Sequence, residues 1–544
     1  MDEPSEQRDL SKVALPFCYT FFIHTFSLNV SFSITQIWRG EPMTTYQSFL
    51  QDANEHHTIP IIKSFYTDTL TPIHMFHALQ KEAVYMLESQ DPESPWSNYS
   101  FIGLDPMMEI REQEGTFIID DLEKKKSRSA SSLKEAFDQV VGQLNVKKAD
   151  VPLPFTGGGV GYISYDAISD YEPVPKPEKD DLNLSNYHLL FCRTLIVYHH
   201  KTKETTILSY ARLDDTTDPE AVYQQAKDRI KDVQHQLRHG ASLPDLMLDD
   251  EDSVERTVEL GSNYKKEDFK ADVEKIKEYI RAGDVFQTVL SQRFHTVTER
   301  NGFELYRVLR KVNPSPYMFY LKFEDIEVIG SSPERLLEVQ EGRLEIHPIA
   351  GTRKRGATKE EDDALAEELL ADEKELAEHR MLVDLARNDI GRVAEFGTVD
   401  VTEYMTIGRF SKVMHIISKV TGQLKEGISP IDAMISAFPA GTLSGAPKVR
   451  AMQILRELEP TPRNLYGGGI LYLGFDGNID SCITIRTMTL VGKQLYIQAG
   501  AGVVADSDPE SEYQETLNKA SALKRTIEIA EHVFETSREG VETK

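Results

Sequence analysis

Cysteine is scarce: there are three in 544 residues, Cys18, Cys192 and Cys482, far apart in the chain. That excludes a disulfide framework and a thiolate metal centre, and it fits a reducing cytoplasm. Positive charge is also short. Lys and Arg number 61 against 88 Asp and Glu, for a formal net charge of −27. Nucleic acid and anionic membranes are thereby excluded as general partners. An anionic substrate would need a locally basic pocket or a bound cation. No phosphate loop is present, because residues 441–448 (GTLSGAPK) lack the G-x-x-x-x-G-K-[ST] spacing. Gly157-Gly158-Gly159-Val160-Gly161 is no dinucleotide fingerprint either, and no internal repeat is visible. Residues 14–38 approach the length of a membrane span, yet they are rich in Ser, Thr, Asn and His behind an acidic leading flank. The expectation is that residues 1–42 form a disordered extension or a mis-called start.

What is present is ordinary globular composition, 40% hydrophobic and 27% charged. The length points to two large domains. Residues 43–245 read as one α/β or α+β domain and residues 264–544 as a second. An acidic linker at 246–263 joins them. In the first, residues 71–87 read as a helix opening at Thr71-Pro72, and 99–104 and 187–198 as strands. In the second, 285–294, 318–323, 326–329, 336–339 and 344–346 read as closely spaced strands of an antiparallel sheet. Residues 358–388 read as one long acidic helix with a Thr358-x-x-Glu361 capping box.

Two helices each carry Glu-x-x-Glu at helical spacing: Glu375/Glu378 and Glu512/Glu515. The second lies just after a strand, a glycine turn at Gly500 and Gly502, and a helix start at Asp508-Pro509. Lys519 falls on the same face, beside an apolar stripe of Tyr513, Thr516, Ala520, Leu523, Ile527 and Ala530. Taken alone, this is an ordinary amphipathic helix with a Glu–Lys pair. Taken together, carboxylates without Cys or paired His suit Mg²⁺, a hard cation that prefers oxygen. Arg486, read within a strand, suits a substrate carboxylate through its planar fork. His415 stands among apolar neighbours, where a satisfied core histidine is the commoner outcome.

Four long stretches carry a resemblance: residues 348–356 (PIAGTRKRG), 372–393 (DEKELAEHRMLVDLARNDIGRV), 438–452 (FPAGTLSGAPKVRAM) and 498–520 (QAGAGVVADSDPESEYQETLNKA). They are similar to the chorismate-utilising enzymes, and within them to the anthranilate-forming branch, over roughly residues 60–535. The resemblance implies an α+β fold in which two intertwined halves contribute antiparallel sheets to a β-sandwich flanked by helices. It implies Glu378 and Glu515 as direct Mg²⁺ ligands, with Glu375 and Glu512 acting through ordered waters. Mg²⁺ would hold the ring carboxylate of chorismate, near the backbone of Gly351, Thr352 and Gly500. Arg486, Tyr466 and the Gly502 amide would hold the enolpyruvyl carboxylate. Thr442, His415 and Lys519 would line the pocket, and Glu334 would be the general acid for loss of the ring 4-hydroxyl.

Two positions separate the branches. Isochorismate-forming members carry lysine where this chain has Gln287, and aminodeoxychorismate synthases carry lysine where it has Ala350. Lacking both, the pocket suits ammonia: addition at C2, loss of the 4-hydroxyl, then loss of the C2 proton and pyruvate, with His415 orienting the second step. The chain has no glutaminase nucleophile, so ammonia would come from a separate glutamine amidotransferase subunit (component II), in a hetero-oligomer of two of each subunit. Glu88, Ser89, Asn313, Pro316, Tyr317, Met318, Tyr472 and Cys482 would line a feedback site for L-tryptophan. Asn98 stands where relatives often carry arginine. Competing readings are an aminodeoxychorismate synthase component I, and a non-catalytic protein that binds chorismate or tryptophan.

Overall fold

A computed structural model describes residues 44–89, 98–214, 216–240, 242–246, 257–410 and 413–542. The expected N-terminal extension, and residues 247–256 of the expected acidic linker, lie outside them. The described chain is α+β. Its 22 strands join in antiparallel ladders, with helices packed on the flanks.

The two halves interleave through strand pairing. Ala83–Glu88 pairs with Tyr99–Gln113 on one edge and with Tyr317–Lys322 on the other, placing Glu88 opposite Met318. Gly158–Ile163 pairs with Tyr187–His199 and with Gly469–Gly474. Each large core is likewise shared. One joins Ile110, Phe137 and Phe191 to Leu337, Ile390 and Phe438. A second joins Phe76, Ile196 and Ile230 to Leu309, Leu523 and Ile527. A third joins Tyr85, Val160 and Leu208 to Phe319, Tyr472 and Cys482. Neither half buries its apolar surface without the other.

The helix Pro509–Glu542 follows its predicted register. Thr516, Ala520, Leu523, Ile527 and Ala530 are all buried. Burying Leu523 and Ile527 stabilises that register by about 2 kcal/mol each, which fixes where the polar edge of the helix points. Asp508 caps the first turn by accepting from Ser511 N at 2.9 Å.

Three readings of local structure are corrected. The helix opening at Thr71 stops at Ala78, and Ala83–Glu88 is a strand rather than its last turns. Helical spacing continued through that run, but its partner strand lies far along the chain and overrides it. Residues 358–388 form two helices, Lys359–Ala371 and Glu373–Gly391. Asp372 breaks them with φ −77° and ψ 104°, and its carboxylate caps the second by accepting from Lys374 N and Glu375 N. Thr358 does cap the first helix, but Glu361 reaches Ala357 N at 2.8 Å instead of closing a box on Thr358. Finally, Gly500 and Gly502 do not form a turn. They lie inside one continuous strand, Gln494–Val503, opposite Ser291 and Val289 of Gln287–Val297. Glycine inside a strand marks close approach. A Cβ on Gly500 would sit 2.9 Å from the Tyr466 hydroxyl oxygen, and one on Gly502 would sit 2.8 Å from Gln287 Nε2.

Candidate active site

The residues predicted for substrate and metal come together where eight pieces of chain meet. The strand Gln494–Val503 supplies the glycine floor, the helices Glu373–Gly391 and Pro509–Glu542 supply acids, and Ile349–Lys354 with Val413–Gln423 form one wall. The short helix Gly441–Leu443 and the connections around Glu334 and Arg486 complete it.

On the wall, the strand alternation buries Met414 and Ile416 and turns His415 to the other face. His415 Nδ1 lies 2.8 Å from Gly351 O and 3.1 Å from Thr352 Oγ1. A carbonyl only accepts, so Nδ1 carries the hydrogen and the neutral ring leaves Nε2 as an acceptor. Burial lowers the His415 pKa, and the charge of Arg486 lowers it further against the pull of the Gly351 carbonyl. Gly351 has φ +68°, and a Cβ there would press on Leu369, Glu375 and Ile416. Its glycine is therefore required twice over.

Glu334 lies between the strands Ile326–Ser332 and Arg335–Gln340 and accepts from Thr442 Oγ1 at 3.0 Å. Burial raises its pKa, while the Thr442 hydroxyl and the charges of Arg486 and Lys519 work against that rise. Arg486 sits in the connection between Ile479–Ile483 and Thr487–Val491, not within a strand, at φ 47°. A left-handed backbone at a non-glycine residue stores strain. The guanidinium is solvent-accessible yet surrounded by fold, which lowers its pKa despite the nearby Glu334. Tyr466 is buried, with its hydroxyl over Gly500.

The two acidic pairs face each other. Glu378 has its pKa raised by burial first, then by Glu375 and by Glu515 from the other helix. Gln287 faces the same carboxylate and holds it lower. Glu512 is raised by burial and by Glu515, against a hydrogen bond from Ser507. Lys519 bridges Glu515 Oε1 at 2.7 Å and Gly500 O at 2.9 Å. Arg353 lies 3.6 Å from Glu375 and 2.9 Å from Asp372. Among the described residues no three acidic, His or Cys side chains converge as a ready metal cage. The set nonetheless fits a divalent cation: hard carboxylate oxygens, drawn from two helices, that destabilise one another's charge.

The residues expected around tryptophan form a separate group. Glu88 is buried and accepts from Ser100 Oγ at 2.9 Å and Tyr306 Oη at 2.7 Å, with Arg310 Nε 2.7 Å away. Met318 is its cross-strand partner. Tyr317 donates to Asp480 at 3.0 Å, and Arg335 donates to Tyr317 at 2.7 Å. Tyr472 lies opposite Asp480, and Cys482 opposite Ile470 and Arg335. Ser89 follows Glu88 directly, and Asn313 and Pro316 precede the strand Tyr317–Lys322. Arg486 is not on the Cys482 strand, and the two groups also meet elsewhere: Arg335, which donates to Tyr317, follows Glu334 directly, and Ser331, which contacts Asn313, donates its N–H to Arg486 O at 3.2 Å.

Sequence reasoning missed three contributors. Gln287 was read only as an absent lysine, although it covers Gly502 and faces Glu378. Arg353, in PIAGTRKRG, pairs with both Asp372 and Glu375. Lys374 stands close enough to lower both Glu378 and Glu512. The basic residue five positions after Pro348 was the only available signal.

A family model for chorismate binding enzymes matches residues 82–525, and the chain belongs to that family. Within it the chain is similar to anthranilate synthase component 1 of Bacillus subtilis (strain 168), 53% identical over 90% of this chain and 96% of the relative. The same component of Acetivibrio thermocellus is 46% identical over 88% of this chain and 97% of the relative. Among solved structures, anthranilate synthase component I from Streptococcus pneumoniae TIGR4 superposes with a TM-score of 0.68, at 36% identity over 84% of this chain and 98% of that one. The menaquinone-specific isochorismate synthase MenF from Escherichia coli shares the fold, with a TM-score of 0.63 at 20% identity over 89% of this chain and 98% of that one. The chain is an enzyme of the anthranilate synthase type. No helix among the described residues is long and apolar enough to cross a membrane.

Proposed function

We infer that the chain converts chorismate and ammonia to anthranilate, pyruvate and water at this site, with Mg²⁺ bound between the two acidic helices. The observation that carries the reading is the meeting of Glu378 with Glu515 beside a pocket that also holds Glu334, Arg486 and a neutral His415. Mg²⁺, held by Glu378 and Glu515 with Glu375 and Glu512 behind them, would neutralise the substrate's ring carboxylate. Arg486, with Tyr466 and the Gly502 amide, would bind the enolpyruvyl carboxylate.

Ammonia attacks C2, and the 4-hydroxyl leaves as water after taking a proton from Glu334. Burial raises that carboxyl's pKa and so favours the protonated form, which a general acid requires. Thr442 fixes its orientation. The C2 proton then departs, the enolpyruvyl C–O bond breaks, and the ring becomes aromatic. His415, its Nδ1 committed to the Gly351 carbonyl, would orient that step or act electrostatically. A separate glutamine amidotransferase subunit would supply the ammonia in the cytoplasm, and L-tryptophan would inhibit from the Glu88–Met318 group.

The test is to incubate the chain with chorismate, Mg²⁺ and ammonium salt at mildly alkaline pH. Anthranilate fluorescence and pyruvate are expected together, and both vanish with EDTA or in Glu378→Ala. Chorismate consumed without pyruvate would overturn the reading. Tryptophan is expected to inhibit, and Ser89→Phe to relieve that inhibition. Equal inhibition of parent and variant would reject the feedback site.

A further inference from the structure

The helix Glu373–Gly391 is held differently at its two ends. Its far half is fixed by apolar packing, with Val383, Ala386 and Ile390 in a large shared core. Its near half carries Glu375 and Glu378 and is held mainly by polar groups. Asp372 caps it, and Leu376 is only partly buried. Counting from the N-terminus, the first buried side chain is His379, at 0% exposure. Its Nδ1 has no hydrogen-bond partner among the described residues. Burying an unpaired polar atom is destabilising, and an apolar side chain of similar size would avoid that loss. Stability alone therefore does not call for histidine here.

What the histidine supplies is one bond, between Nε2 and Ser418 Oγ at 2.7 Å. Ser418 is buried on the wall strand Val413–Gln423. It shares the face of Met414 and Ile416, which packs on Ala366, Leu369 and Leu376, while His415 points from the opposite face. The same hydroxyl takes a second bond. The neighbouring strand Asp400–Arg409 bulges at this point. Glu403 pairs with Lys419 and Thr406 with Ile417, so Tyr404 and Met405 together stand against Ser418. Met405 has φ 54°, and its N–H donates to Ser418 Oγ at 2.9 Å. Bulges recur beside active sites, where they re-aim a side chain. With one lone pair of the hydroxyl taken by Met405, its own hydrogen has Nε2 as acceptor. A strained backbone and a buried histidine thus share one oxygen atom.

We propose that the His379–Ser418 hydrogen bond positions Glu375 and Glu378 for cation binding. His379 follows Glu378 directly, so clamping its ring to the wall strand fixes how that helical turn is rotated about its axis. His379 is a positioning residue that acts through Glu378. The inference rests on the proposed Mg²⁺ site.

The experiment uses the full chain and the variants His379→Leu, His379→Gln and Ser418→Ala. Mg²⁺ affinity is measured by calorimetry with chorismate present and ammonia withheld, and thermal melting without metal is followed alongside. His379→Leu and Ser418→Ala are each expected to weaken Mg²⁺ binding by about tenfold, the lower end for groups that orient metal ligands from behind. His379→Leu should nonetheless melt close to the parent, because it also removes the unpaired Nδ1. His379→Gln, whose amide oxygen can take the place of Nε2, should bind Mg²⁺ more tightly than His379→Leu. The double variant His379→Leu/Ser418→Ala should lose no more than either single variant, since both break the same bond. Parent-like Mg²⁺ affinity in the Leu and Ala variants, whatever their melting points, would make His379 a packing residue and overturn the proposal. Additive losses in the double variant would overturn it too. A parent that binds no Mg²⁺ would reject the cation site itself, and this role with it.

Discussion

At Glu334, burial and positive charge pull one carboxyl in opposite directions. Burial wins, so the acid stays protonated to a higher pH than an exposed glutamate. Activity that depends on it is present below that raised pKa and falls as pH rises through it. Glu334→Gln is expected to lower kcat by about 10²–10⁴-fold with little change in KM for chorismate. It should also remove this alkaline limb from the profile, and pH–rate measurements on parent and variant check both. At this scale the sequence was legible through motifs. His415 illustrates where it stopped: its neighbours on the strand are core, and only strand alternation with Gly351 opposite reveals that the ring faces the site. Arg486 read as a strand residue because threonine and isoleucine flank it, whereas its φ of 47° is set by long-range packing.

The two acidic helices are the element on which the proposed cation site depends, and their placement rests on short-range devices. Asp372 ends one helix, caps the next and holds Arg353 of the neighbouring strand. Asp372→Ala therefore loosens the turn that carries Glu375 and Glu378. The expected result is a higher Mg²⁺ requirement for activity, read by metal titration, with a smaller effect on thermal melting. The break at Asp372 was readable in principle, since an aspartate followed by an acidic turn is a helix-start signal. An unbroken helical period on both sides masked it. The strand at Ala83–Glu88 was not readable locally. Its apolar residues fit a helix face equally well, and the decision belongs to Tyr317–Lys322.

For the molecule as a whole, the crowded carboxylates set a pH dependence. Glu378 and Glu512 have folded pKa values raised above the unfolded glutamate value of about 4.3. Their contribution to stability is present below that value and is lost as pH rises through the folded pKa. Mg²⁺ binds only the ionised forms. It should therefore raise Tm more at pH 8 than at pH 5, and thermal melts with and without the metal check this. Equal shifts at both pH values would place Mg²⁺ elsewhere.

The interleaved sheets also dictate an order of events during synthesis. Glu88 leaves the ribosome about 230 residues before Tyr317 does. At about 5–20 residues per second its outer edge waits roughly ten to forty-five seconds for a partner. Throughout that interval a strand bearing Tyr85 and Met86, destined to be fully buried, has one open ladder edge. Synthesis halted anywhere before Lys322 releases a chain with a ready-made sticky strand, so the yield of intact protein depends on the nascent chain being shielded until its second half arrives.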